Sequence, residues 1–323
     1  MNVQKYIILV AALLTSACGT GKKTQQSCRP RYLATSGASE KQILIVDSGV
    51  TEFSTPESVA IHNNMVYVAN LGGQPRKSKR AGFFTRFAFD GTQVEKLFVG
   101  KLDDPKGFAF LNDDVMVVSD HPSVKLLNVA TGKVITTFNI ADASFLNDVA
   151  VINKETIVLS DTGSGTLYRI TLSPNLDSIV QVIPITGLNA TLNGINGITY
   201  DAESNKLFLV DSTFGGQPAK GNIYDFQFTT DDFSVGTLSA PWLSEPLGGG
   251  KLDGIAYVKG YVIVSDWDTG FYIFDANTKQ LVSKGTGVNS AADFSVYKDK
   301  IWFPEFLNNK VYFVRLPREL RSK

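Results

Sequence analysis

The chain has 323 residues, 43% of them hydrophobic and 19% charged, with 31 Lys plus Arg set against 31 Asp plus Glu. A balanced charge supplies no field to draw in a polyanion, which excludes nucleic acid as a partner. Two histidines, His62 and His121, far apart in the chain, exclude a zinc site built on three histidines, and two cysteines exclude a disulfide-stapled scaffold.

In chain order, the first segment is a processing signal. Lys5 gives a weakly basic start, residues 6–14 are apolar, and Thr15-Ser16-Ala17-Cys18 follows. The apolar run is too short for a bilayer, which needs about 20 such residues. It resembles a bacterial lipoprotein signal peptide, which implies cleavage after residue 17 and lipidation of Cys18. Thr15 departs from the leucine most often found three places before that cysteine, although Leu14 lies beside it. The other reading is an ordinary cleaved signal that leaves Cys18 and Cys28 free to pair. Both predict export: a bacterial envelope lipoprotein of the periplasm or outer membrane, membrane-held through its lipid, or otherwise a secreted protein. Residues 18–40, rich in Gly, Ser, Thr, Lys and Gln, read as a flexible tether.

Residues 41–316 repeat. A polar residue leads into a small, apolar strand at Glu57-Ser58-Val59, Lys106-Gly107-Phe108, Asn147-Asp148-Val149, Asn196-Gly197-Ile198, Asp253-Gly254-Ile255 and Asp293-Phe294-Ser295, at spacings of 40 to 57 residues. Each opening is followed by a second strand ending on Asn70, Asp120, Asp161, Asp211, Asp266 or Glu305, and then by a third and fourth strand set off by turns such as Asp90-Gly91. That period belongs to four-stranded propeller blades rather than to a helical repeat. The last unit is one strand short, and the β-branched stretch Lys41 to Val46 supplies it, leaving residues 317–323 as a tail. The prediction is one all-β domain, a monomeric six-bladed β-propeller whose last blade is closed by an N-terminal strand.

Innermost strands line a propeller's channel, so Glu57, Lys106, Asn147, Asn196, Asp253 and Asp293 are predicted to converge at one mouth. Antiparallel pairing puts the ends of the second strands at the same face. Crowded carboxylates repel, and an oxygen-ligated cation relieves that repulsion; Ca²⁺, or Mg²⁺ or Mn²⁺, suits Glu57, Asn147, Asn196 and Asp253. Lys106 admits two readings. It plugs a metal-free channel by pairing with Asp253 or Asp293, or it holds an anionic substrate or developing oxyanion. The outer acids read as caps of turns and backbone, and His121 as a loop residue or a base. The loops Gly72-Gly73-Gln74-Pro75 and Gly215-Gly216-Gln217-Pro218 read as a lid over the mouth, and the cluster Arg76, Lys77, Lys79 and Arg80 as a solvated loop tip. Gly248-Gly249-Gly250 lacks the helix and the Lys-Ser/Thr pair of a phosphate loop.

These motifs together resemble the senescence marker protein, gluconolactonase and luciferin-regenerating enzyme group of six-bladed propellers. The matching residues are Pro56-Glu57, Asn147-Asp148, Asn196-Gly197 and Asp253-Gly254, each in the corresponding blade. The most diagnostic stretch runs from Asn196-Gly197-Ile198-Thr199-Tyr200-Asp201 to Leu209-Val210-Asp211-Ser212. The resemblance implies that Glu57, Asn196 and Asp253 bind one divalent metal, that Asn147 adds a ligand or a substrate contact, and that the reaction hydrolyses a small lactone or ester. On that basis Asp253 is the general base and Asn147 orients the substrate, whereas Lys106 departs from the family's pattern and its oxyanion role is the alternative to the plug. The rival expectation is a non-catalytic exported propeller that binds a protein, peptide or envelope glycan, because fold alone does not choose a function.

Overall fold

Runs such as Thr156-Ile157-Val158-Leu159 are apolar at nearly every position, because a strand packed between two neighbouring blades is buried on both faces. The structure, a computed structural model, describes residues 45–73, 80–188, 192, 194–213, 221–317 and 320–321. Those residues form six four-stranded antiparallel sheets and no α-helix. The innermost strands are β2 (Pro56–His62), β6 (Pro105–Phe110), β10 (Leu146–Asn153), β14 (Ile195–Asp201), β18 (Leu252–Val258) and β22 (Ser295–Tyr297). Beside them run β3 (Met65–Asn70), β7 (Val115–Asp120), β11 (Thr156–Asp161), β15 (Lys206–Asp211), β19 (Tyr261–Asp266) and β23 (Lys300–Glu305).

Blades one to five are completed by consecutive strands: β4 (Gly82–Ala88) and β5 (Glu95–Leu102), β8 (Ser123–Asn128) and β9 (Val134–Asn139), β12 (Thr166–Leu172) and β13 (Ile179–Pro184), β16 (Ile223–Phe228) and β17 (Gly236–Leu238), and β20 (Gly270–Asp275) and β21 (Leu281–Gly285). The sixth is completed from both ends of the fold, in the order β22, β23, β24 (Lys310–Arg315) and β1 (Ile45–Asp47). Ile45 pairs with Val314 and Asp47 with Tyr312. The all-β six-bladed propeller expected from the spacing is therefore the fold. Of the N-terminal stretch expected to close it, residues 41–44 lie outside the described residues, as do the signal and tether.

Six apolar clusters occupy the six junctions between adjacent blades. Between blades six and one, Trp302 and Val311 meet Val59, Val66, Val68 and Phe87. Each such fully buried side chain contributes about 1.5–3 kcal/mol relative to exposure, so the closing junction is held by apolar burial as the others are. Serines add polar stitches. Ser160 Oγ accepts from Asp148 N and donates to the Asn196 carbonyl of the next blade, and Ser265 Oγ does the same between Gly254 N and the Ala292 carbonyl.

Register decides what faces the channel. Pro56, Pro105, Leu146, Ile195 and Leu252 pair with Asn70, Asp120, Asp161, Asp211 and Asp266, and each is followed by a break in register. These bulges re-aim the next side chain. In blade six the equivalent pair is Ala291 with Glu305. The ring position is consequently Glu57, Lys106, Asn147, Asn196, Asp253 and Ala292. Asp293 sits one residue further along, level with Ser58, Gly107, Asp148, Gly197 and Gly254. This corrects the placement of Asp293 in the ring: Asp293-Phe294-Ser295 imitates the other openings, but β22 starts late and is only three residues long.

Candidate functional site

A cavity of about 310 Å³ opens at the mouth where the inner strands begin, with Glu57, Lys106, Asn147, Asn196 and Asp253 on its floor. All five residues expected at the channel mouth for catalysis or metal binding are thus brought together, each delivered by the bulge of its own blade. Leu71, Phe145, Trp267, Phe306 and Leu307 form the rim.

The outer acids explain why the ring is steady. Asn70 Oδ1 accepts from Ser54 N (2.9 Å), Asp120 Oδ1 from Asp104 N (2.5 Å), Asp161 from Ser144 N and Phe145 N (2.8 and 2.6 Å), and Glu305 Oε1 from Asn289 N (3.0 Å). Each bond clamps the loop that feeds its own blade's inner strand. Asp211 instead holds Asn222 N, and Asp266 the turn at Asp268 and Thr269.

Lys106 is buried, its side chain 4% exposed, and donates to Asp104 Oδ2; its ammonium also lies 4.2 Å from the Phe145 ring centre. The expected pairing with Asp253 or Asp293 is corrected: the partner is Asp104, two residues away, and the strand-start clamp holds it there. Asp253 Oδ2 accepts from Trp267 Nε1 at 2.5 Å. Asn147 donates through Nδ2 to Thr162 Oγ1 (3.0 Å), and Thr162 donates in turn to the Ile195 carbonyl. That leaves the Asn147 oxygen as the end available to a ligand. Asn196 donates to the Leu252 carbonyl (3.2 Å). Glu57 Oε2 and Asn196 Oδ1 are buried without a hydrogen-bond partner.

Burial pushes the Glu57 carboxyl well above the usual carboxylate range, with the charge of Asp253 adding to the effect. Burial pushes Asp253 up to about 7, against the Trp267 hydrogen bond. One level below, Asp293 holds Ser58 Oγ (2.6 Å) and Phe294 N and is pushed up by burial to about 6. Asp148 holds Val149 N and Ile198 N and is raised by burial and by Asp293. Both acids line a lower chamber of about 230 Å³.

His121 Nδ1 accepts from Leu146 N at 3.3 Å, and the ring does not line the upper cavity. His62 stacks on Phe110 at the other end of its strand. Arg80 donates to the Lys101 carbonyl, whereas residues 74–79 and 214–220, the rest of the basic cluster and of the expected lid, lie outside the described residues, as do Cys18 and Cys28. Sequence reasoning missed Asp104, Thr162 and Trp267. Thr162 and Trp267 directly follow Asp161 and Asp266, and Asp104 stands two residues before Lys106.

Among the described residues no three His, Cys, Asp or Glu side chains gather as a metal site. The floor offers two carboxylates and two amides, an oxygen donor set suited to a hard cation. Two of its oxygens lack donors, so these residues fit a divalent cation.

Fold and site together define a propeller with a polar-floored channel cavity. No protein-family model matches the chain, and no curated protein matches it. Among solved structures it is similar to a luciferin-regenerating enzyme, at 12% identity over 87% of this chain and 98% of that one, with a TM-score of 0.64. It is likewise similar to a catalytically inactive virginiamycin B lyase from Staphylococcus aureus solved with quinupristin, at 12% identity over 85% and 99% of the two chains and a TM-score of 0.58. At that identity the likeness is one of fold.

Proposed function

We infer that the chain is a divalent-cation-dependent hydrolase of a small lactone or ester, acting in the upper cavity. The observation that carries this reading is the pair of buried, unpartnered oxygens, Glu57 Oε2 and Asn196 Oδ1, lining one cavity with Asp253. A buried acceptor left without a donor costs about 1–3 kcal/mol, and a cation removes that cost. Lys106 donates to Asp104 and to neither of these oxygens. Glu57, Asn147, Asn196 and Asp253 would hold the ion, with Ca²⁺ favoured and Mg²⁺ or Mn²⁺ as alternatives. When bound, such an ion polarises a carbonyl and makes water more acidic.

The chain's own groups supply the rest. Asp253, buried and fixed through Oδ2 by Trp267, would serve as the general base that takes a proton from water. Asn147, anchored through its nitrogen, turns its oxygen toward the substrate. Lys106 presents positive charge beside Phe145, where an oxyanion develops.

The test is calorimetry with Ca²⁺, Mg²⁺ and Mn²⁺, followed by a panel of lactones and aryl esters with and without chelator. Binding of about one ion and turnover that chelation, Asp253→Asn and Glu57→Gln each abolish is the expected result. No ion binding and no turnover would leave a propeller that binds a protein, peptide or envelope glycan.

A further inference from the structure

The polar groups of the cavity all lie on its floor, and its rim is apolar. The floor residues occupy the ring position of the inner strands, whereas Leu71, Trp267, Phe306 and Leu307 follow the ends of β3, β19 and β23. Leu71, Ala292 and Phe306 form an apolar cluster of their own, separate from the six junctions, with Trp267 packed against it. Trp267 and Phe306 lie 4.7 Å apart, centre to centre. The single donor of the indole is directed at Asp253, so this wall presents carbon to whatever enters. Leu307 stands 66% exposed at the lip, where a large apolar side chain gains nothing from the fold itself. Behind Trp267 and Leu307 lies a second depression of about 470 Å³, lined by Lys251, Asp268, Asn289, Ser290 and Asn308. Above the floor, the next hydrogen-bonding side chains therefore lie beyond the apolar lip, away from the ring.

Resting on the hydrolase reading, we propose that the substrate is a lactone or ester whose carbonyl is flanked by an apolar alkyl or aryl group, and not a polyhydroxylated sugar lactone. A sugar lactone carries hydroxyls around the ring, and among the described residues the rim offers them no hydrogen-bonding side chain once the indole N–H is engaged. An alkyl or aryl flank instead meets Phe306, Trp267 and Leu307, and each methylene buried there strengthens binding by up to about fourfold.

The experiment compares γ-butyrolactone, γ-nonalactone and glucono-1,5-lactone as substrates of the full chain with Ca²⁺ present. It also follows their binding by quenching of tryptophan fluorescence. The expected kcat/KM rises from butyrolactone to nonalactone and is lowest for the sugar lactone. Leu307→Asn lowers the nonalactone to butyrolactone ratio by about threefold or more for each methylene that loses contact. Leu281→Asn, at an exposed position on the outer strand β21, does not change it. Turnover of the sugar lactone equal to or above that of nonalactone overturns the substrate class and leaves hydrolysis standing. Tight, chain-length-dependent binding without turnover of any lactone or aryl ester sinks hydrolysis and leaves the apolar class standing. Neither binding nor turnover of nonalactone overturns both.

Discussion

Gly254 is one point at which stability and site geometry meet. A Cβ built there would lie 2.6 Å from Asp293 Oδ1, 2.8 Å from Asp293 Cα and 2.9 Å from Phe294 Cδ1. The carboxylate could swing aside, but the backbone atom could not unless blade six moved as a unit. Such overpacking costs about 1–3 kcal/mol. Displacing Asp293 also weakens its bond to Ser58 Oγ across the closing junction, for which about 1 kcal/mol is a fair allowance. Gly254→Ala should therefore cost about 2–4 kcal/mol, which for a domain of this size lowers the melting temperature by roughly 4–7 °C. Gly100→Ala is the matched control: it lies on the outer strand β5, and a Cβ there meets nothing within 4 Å. Its effect should stay within about 0.5 kcal/mol. Thermal unfolding followed by circular dichroism, checked against urea midpoints, measures both. Equal melting temperatures for the two variants would refute the close approach of blades five and six.

The remaining predictions concern the ring and the anchor. Because Asp253 and Asp293 are raised to about 7 and about 6, the folded chain keeps protons that the unfolded chain releases near 4. Their contribution is present in full below the unfolded values and is lost as pH rises toward 7. In chelator, the melting temperature of the wild type should thus fall relative to Asp253→Asn between pH 4.5 and 7.5, and calcium should restore it at the upper end; parallel curves would contradict this. Trp267→Phe keeps a ring against Phe306 but removes the donor to Asp253. Ion affinity measured by calorimetry should drop about 10- to 100-fold with the fold intact, and an unchanged affinity would remove Trp267 from the site. Cys18→Ser should shift the protein from the membrane to the soluble fraction, and unchanged fractionation would dismiss the lipid anchor.

Much of the propeller is legible in the sequence because blade packing buries both faces of the second strands. This yields near-identical apolar runs that end on Asp120, Asp161, Asp211 and Asp266. The ring was readable in five blades, where a polar residue stands at the bulge, followed in four of them by Gly or Ser. It failed in the sixth because Ala292 carries no polar signature and the neighbouring Asp293 mimics one. The repeated Ser-Asp pairs at residues 119–120, 160–161 and 265–266 carried a further signal, since two of those serines stitch adjacent blades. Partners that cross between loops and strands left no trace. Trp267 reaches Asp253 from the loop just past the end of the paired strand β19, and Lys106 meets Asp104 where the Asp120 clamp holds the chain.

The blade built from both ends of the fold also sets an orientation. β24 leaves the cavity face, where Lys310 pairs with Glu305, and runs to the opposite face; β1 runs back, from Ile45 beside Val314 toward Asp47 beside Tyr312. The polypeptide preceding residue 45 consequently joins the disc on the side away from the cavity. A chain held to a bilayer at Cys18 would be attached by its back, within at most about 90 Å of the surface. The cavity mouth, at the face opposite Ile45, is left clear of that point of attachment.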